Sequence, residues 1–220
     1  MAERGRILVA AGTNGAGKSS IIGEFLRRTG GAYYNPDERT RELIAAGIDP
    51  AEANARSWAD GYGRLRYAID HGESFSFETT LGGRSICREL HRAAAESLEV
   101  WIFYVGLASP ELHIERVRAR VARGGHDVPE AKIRERYMRS LANLVSLIGV
   151  AASVQIFDNS EETPDGRPRA RRILKMKDSR IVEPAVDELL LSTPGWAKPV
   201  VAAALGAHMA RRTKKRKSRR

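Results

Sequence analysis

The chain has 220 residues, 42% of them hydrophobic and 29% charged, which suits one α/β domain with a proper core and excludes a disordered or fibrous chain. A lone cysteine, Cys87, excludes an internal disulfide, and no apolar run, the longest being 200–209, approaches the ~18 residues of a membrane span, so a cytoplasmic location is expected. The formal charge of +10 is local: Arg211-Arg212-Thr213-Lys214-Lys215-Arg216-Lys217-Ser218-Arg219-Arg220 holds eight basic residues and no acid, leaving the body near neutral.

Arg6-Ile7-Leu8-Val9-Ala10-Ala11 is the short apolar run of a buried parallel strand. It runs into Gly12-Thr13-Asn14-Gly15-Ala16-Gly17-Lys18-Ser19, which fits the phosphate-binding loop G-x-x-x-x-G-K-[ST] without mismatch. The spacing of Ile22, Phe25 and Leu26 predicts a helix over 19–28, stopped by Gly30-Gly31. In this pattern the backbone of 12–19, with Ser20, wraps phosphate. Lys18 reaches the β and γ phosphates, and Ser19 offers its hydroxyl to Mg²⁺. The implied cofactors are ATP and Mg²⁺.

Ala32-Tyr33-Tyr34-Asn35 reads as a second strand that delivers Asp37 to the carboxyl edge of the sheet, where open α/β sheets hold ligands. Asp49-Pro50 opens a long helix ending at His71-Gly72, and a third strand, 73–77, brings Glu78-Thr79-Thr80 to the same edge. A helix over 85–98 leads to the strand Glu99-Val100-Trp101-Ile102-Phe103-Tyr104-Val105. Ser109-Pro110-Glu111 caps the next helix, which carries Arg116, Arg120 and Arg123 on one face and breaks at Gly124-Gly125, a glycine pair suited to a lid hinge. His126-Asp127-Val128-Pro129 restarts a helix to about Ile148. Val154-Gln155-Ile156-Phe157 is a fifth strand closed by Asp158-Asn159-Ser160, and a small hairpin and a helix over 184–191 follow. The predicted fold is α/β and P-loop kinase-like: five mostly parallel strands with helices on both faces, plus the C-terminal hairpin and helix. The divisions expected are a kinase domain over 1–191, a docking segment over 192–210 pinned by Trp196, and a disordered basic tail over 211–220.

A phosphate loop leaves the reaction open. A regulatory GTPase needs N/T-K-x-D, and the nearest run, Lys175-Met176-Lys177-Asp178, has the wrong spacing; a motor or transporter ATPase needs an acidic pair after an apolar strand, and none follows one. Two acids at strand ends and an arginine-rich helix fit a kinase instead, because an acceptor hydroxyl needs a carboxylate and the transferred phosphoryl group needs cations. Each has a plainer reading: Asp37 as a helix cap, Glu78 as a solvated loop charge, the arginines as a solvated face. Two other classes stay open, a nucleic-acid-associated ATPase that uses the tail and a nucleotide-binding module without turnover.

The phosphate loop, Asn35-Pro36-Asp37-Glu38, Phe75-Ser76-Phe77-Glu78-Thr79-Thr80-Leu81, the stretch 116–120, Gly124-Gly125-His126-Asp127-Val128-Pro129 and Asp158-Asn159-Ser160 together resemble the zeta toxins and zeta-toxin-like P-loop kinases, over about 6–185. The resemblance implies a kinase that transfers phosphate from ATP to a sugar hydroxyl of UDP-N-acetylglucosamine or a related nucleotide sugar. It assigns Asp37 as catalytic base, Glu78 as substrate-side acid beside Thr79, Thr80 and His126, and Arg116 and Arg120 as catalytic phosphate contacts with Lys18. The family's second arginine falls near His126, which moves its charge to Arg120 or Arg123. An antitoxin protein and nucleic acid held by the tail are the candidate macromolecular partners.

Overall fold

The computed structural model describes residues 4–23, 25–26 and 33–217, with the side chains of 214–217 outside the description. The Gly30-Gly31 stop and most of the end of the predicted 19–28 helix lie outside the described residues. What is described there is a π-helical turn, Ser19–Gly23, continuing helically at Phe25 and Leu26.

Strand β1 (Arg6–Ala11) lies at the centre of the sheet between β3 (Phe75–Thr79) and β4 (Glu99–Gly106), with β2 (Tyr33–Tyr34) outside β3 and β5 (Ser153–Glu162) outside β4. These five are parallel. Alternate residues of β1 explain why it is central: Ile7, Val9 and Ala11 join one buried cluster with Phe77 and Ile102. Ala10 joins a second cluster with Ile22, Leu26, Phe103 and Val105 on the opposite face. A strand buried on both faces must be apolar, as this one is from Ile7 onward.

The hairpin is not separate from the sheet. β6 (Pro168–Lys177) pairs antiparallel with β5, and β7 (Arg180–Glu183) with β6, so the sheet has seven strands in the order β2-β3-β1-β4-β5-β6-β7 instead of five. β5 accordingly runs through Asp158-Asn159-Ser160, where the sequence suggested closure, because β6 continues its ladder with Arg171 opposite Asp158 and Arg169 opposite Glu161.

The helices follow their caps. α1 (Pro36–Ala45) is capped by Asn35, whose side chain accepts from the Asp37 and Glu38 amides. Asp37 is therefore neither a strand end nor the cap; it sits in the first turn of α1, where the helix dipole favours a carboxylate. α2 (Pro50–His71) starts at the Asp49 cap and stops at left-handed Gly72. α3 (Arg84–Ala95), α4 (Pro110–Val121) with its Ser109 cap, and α5 (Glu130–Leu147) occupy their expected places. The segment 126–129 is a loop and not the start of α5, Asp127 Oδ1 accepting from the Val128 amide.

Beyond α6 (Val186–Ser192), Trp196 is buried, its indole 2.3 Å from where a Cβ on Gly106 would lie, and its Nε1 donates to Asp158 Oδ1 at 3.3 Å. α7 (Lys198–Lys217) then carries helix well into the basic segment expected to be disordered. Val200, Val201 and Ala204 bury its first turns, so nucleation is already met and each further residue adds a hydrogen bond at little cost. Residues 218–220 lie outside the described residues.

Candidate active site

The phosphate loop is built as its sequence demands. Gly15 (φ 82°) and Gly17 (φ 88°) have left-handed backbones, and a Cβ on either would come within 2.7 Å of the His113 carbonyl and of Asn159 Nδ2 respectively. Three distant residues hold the loop. Asn159 Nδ2, at the far end of β5, donates to the Ala16 carbonyl at 2.9 Å; His113 Nδ1, on α4, bonds the Asn14 carbonyl at 2.8 Å; Arg136 Nη1, on α5, donates to Asn14 Oδ1 at 2.8 Å. The cradle is thus fixed before a phosphate arrives.

Lys18 is buried, with Nζ 3.4 Å from Glu78 Oε1 and 3.5 Å from the Thr13 carbonyl. Glu78, also buried at the end of β3, accepts on Oε2 from Ser19 Oγ and Tyr33 Oη, each at 2.8 Å. β3 neighbours β1 with Ala10 opposite Glu78, which is why this acid reaches the loop. The predicted substrate-side acid therefore touches Lys18 and Ser19 directly. No group of three His, Cys, Asp or Glu side chains able to cage a metal occurs among the described residues. Ser19 Oγ, with Glu78 bonded beside it, would suit a Mg²⁺ that also drew on phosphate oxygens and water.

Arg116, on α4 beside the loop, has a side chain only 14% exposed, and none of its three guanidinium nitrogens has a hydrogen-bond partner among the described residues; Glu162 Oε1 is 3.7 Å away. Burial holds its pKa below the ordinary arginine value, with Glu162 opposing, yet a guanidinium stays charged. A buried cation with idle donors is costly unless an anion completes it. Arg120 lies further out, Nη1 3.8 Å from Asp37 Oδ2 and Nη2 donating to the His126 carbonyl at 2.7 Å, so it ties the first turn of α1 to the 124–129 loop. Arg123 does not join them; its Nε bonds the Ala119 carbonyl in an exposed position.

Next to the loop opens a cavity of about 660 Å³. Asn14, Asp37, Glu78, Thr79, Thr80 and His126 all line it, so the predicted substrate residues share a single cleft with a residue of the phosphate loop. Thr79 Oγ1 is occupied in accepting from the Leu81 amide at 3.0 Å. Tyr34, also lining the cleft, donates to the Ser57 carbonyl at 2.5 Å; burial, then Asp60, pushes its hydroxyl up to about 12, so it remains a neutral donor.

No known family model matches the chain. An uncharacterized protein of Haemophilus influenzae is 29% identical over 126 residues, 57% of this chain and 88% of that protein. Among solved structures, the AvrRxo1-ORF1:-ORF2 complex with ATP is similar at a TM-score of 0.60 and 15% identity, over 94% of this chain and 77% of that one. The PezAT chromosomal toxin–antitoxin system of Streptococcus pneumoniae is similar at a TM-score of 0.51 and 14% identity, over 94% and 86%. The chain shares the fold of these proteins. Within this fold, sequence reasoning missed His113, Arg136 and Asn159 as holders of the loop. Asn159 was visible in the Asp158-Asn159-Ser160 signature, whereas a histidine in the first turn of a helix gives no signal until its fold partner is known. Burial, with Lys18 and Arg116 adding, pulls the His113 imidazole down to about 4 against the hydrogen bond to Asn14, so it is neutral at physiological pH.

Proposed function

We propose that the protein is an ATP- and Mg²⁺-dependent kinase that phosphorylates a sugar hydroxyl of UDP-N-acetylglucosamine or a related nucleotide sugar. The observation that carries this reading is the cleft: a nucleotide hydrolase needs space for a water, while about 660 Å³ between the phosphate loop and Asp37 has room for a second substrate. Lys18 would hold the β and γ phosphates, with Ser19 and Glu78 serving the metal side. Bound Mg²⁺ would supply charge neutralisation at the phosphates. Asp37, reachable from the cleft, would take the acceptor's proton, and Arg116, with its unused donors, would hold the transferred group, with Arg120 positioning Asp37. Cytoplasmic location and control by an antitoxin-like protein belong to the same proposal; no helix among the described residues is long and apolar enough to cross a membrane.

The test is product analysis. Incubated with Mg·ATP and UDP-N-acetylglucosamine, the protein should yield a sugar nucleotide heavier by one phosphoryl group, and ATP consumption should rise with acceptor concentration. ATP consumption stimulated by DNA or RNA instead would favour the second reading, a nucleic-acid-associated ATPase. That reading has one observation in its favour, the exposed basic continuation of α7 through Arg211 and Arg212.

A further inference from the structure

Trp58, on α2, lines the cleft yet is 53% exposed, a placement that leaves a large aromatic surface unburied beside a binding cavity. It is held rigidly. Its ring stacks on Tyr62 one turn later, at 5.1 Å between centroids and 10° between planes. Tyr62 is fixed in turn, its hydroxyl donating to Glu89 Oε1 at 3.0 Å and accepting from Arg88 Nη2 at 3.2 Å. With one face of the indole against Tyr62, the other remains for a planar partner. The lining of the cleft also includes a cationic helix face. Lys132, Arg136 and Arg139 recur at intervals of four and three along α5 and all line the same cleft. Arg136 is engaged with Asn14, and Arg139 pairs with Glu135, leaving Lys132 as the cation most available to an incoming anion.

We infer that Trp58 is the specificity-determining residue of this cleft: it stacks on the nucleobase of a nucleoside diphosphate moiety in the acceptor, while the basic face of α5, through Lys132, takes its phosphates. A stacked base contributes about 1–3 kcal/mol irrespective of its identity, so the site selects for a ring and a polyanion before it selects for a sugar. The inference rests on the cleft being the acceptor site, and it is separable from phosphoryl transfer because it concerns binding.

The experiment is calorimetric titration of the protein with its phosphate loop saturated by Mg²⁺ and a non-hydrolysable ATP analogue, using UDP, ADP and pyrophosphate as probes. Trp58→Ala should weaken UDP and ADP about 10- to 100-fold and leave pyrophosphate unchanged. Trp58→Phe should recover most of the loss, and Lys132→Ala should weaken all three. Because Trp101 and Trp196 are more buried, indole emission should be quenched by UDP in the wild type and not in Trp58→Ala. Unchanged affinity for the ATP analogue certifies that the variants are folded. No binding of UDP or ADP to the saturated wild type, losses within twofold on Trp58→Ala, or an equal loss for pyrophosphate would each overturn the inference. A failure of phosphoryl transfer with these binding results intact would overturn the kinase reading alone.

Discussion

The phosphate loop and the adjoining cleft are built on different principles. Around the loop the holding side chains are largely buried and tied to it by specific bonds: Lys18 with Glu78, Asn159 with Ala16, His113 and Arg136 with Asn14. In the cleft the corresponding groups are half-exposed and sparsely tied, as Asp37 is through one 3.8 Å contact with Arg120 and Trp58 through its stack on Tyr62. A rigid anion cradle costs little reorganisation when charge develops on the phosphate. An open cleft keeps the acceptor's identity dependent on a few projecting side chains, so substitutions at the two places should fail differently.

The largest expected effect is at Lys18. Lys18→Ala should reduce turnover to background, at least about 10³-fold, since the cation at the phosphates is gone. It should also leave Glu78 buried without its cationic partner and lower apo stability by about 3 kcal/mol; adding Glu78→Gln should restore most of the stability and none of the turnover, as read by denaturant titration alongside a kinase assay. Asp37→Asn should behave oppositely, losing about 10²- to 10⁴-fold in transfer with ATP affinity and stability preserved. A variant that lost stability instead would make Asp37 a helix-start residue only.

The next effect concerns pH. His113 titrates near 6.5 in the unfolded chain and at about 4 in the folded one. The folded state thus binds fewer protons, and the stability this neutral imidazole contributes is complete above about pH 6.5. It is lost as pH falls to about 4, by about 3 kcal/mol in all. Urea titrations at pH 7.5, 5.5 and 4 should record that fall in the wild type and a smaller one in His113→Gln, which keeps a donor for Asn14 and cannot be protonated. The smallest effect is at the C-terminal end of α7. Truncation after Ala210 should leave transfer within twofold and remove weak, sequence-blind binding to nucleic acid, measured from low to physiological salt. Residual binding would move the basic surface elsewhere.

The difference between the two regions also governs how much the sequence could reveal. The loop is a contiguous motif, and the central strands carry unbroken apolar runs, so both were legible together with the Asp49 and Ser109 caps. Its supports were not, because Asn14 meets His113 and Arg136 only through the order β3-β1-β4-β5. Asp37 was legible as an acid near the site and misplaced by its geometry, since the Asn35 amide side chain suits the cap and moves Asp37 into the helix. The two extra strands were read as a separate hairpin because this end of the sheet is thinly covered: β6 exposes most of its residues and β7 buries none, so neither carries the apolar run of the central strands. The basic segment of α7 has a composition that forbids a core, but a helix already nucleated upstream does not need one.

Trp196 gives the assembly a temporal order. Its indole fills the space over Gly106 and holds Asp158, one residue before the asparagine that grips the loop, while the neighbouring Val105 carbonyl sits against Gly12. During synthesis the whole nucleotide motif leaves the ribosome long before this tryptophan does. A nascent chain can display the complete signature and still lack the indole that fills the space over Gly106 and bonds Asp158.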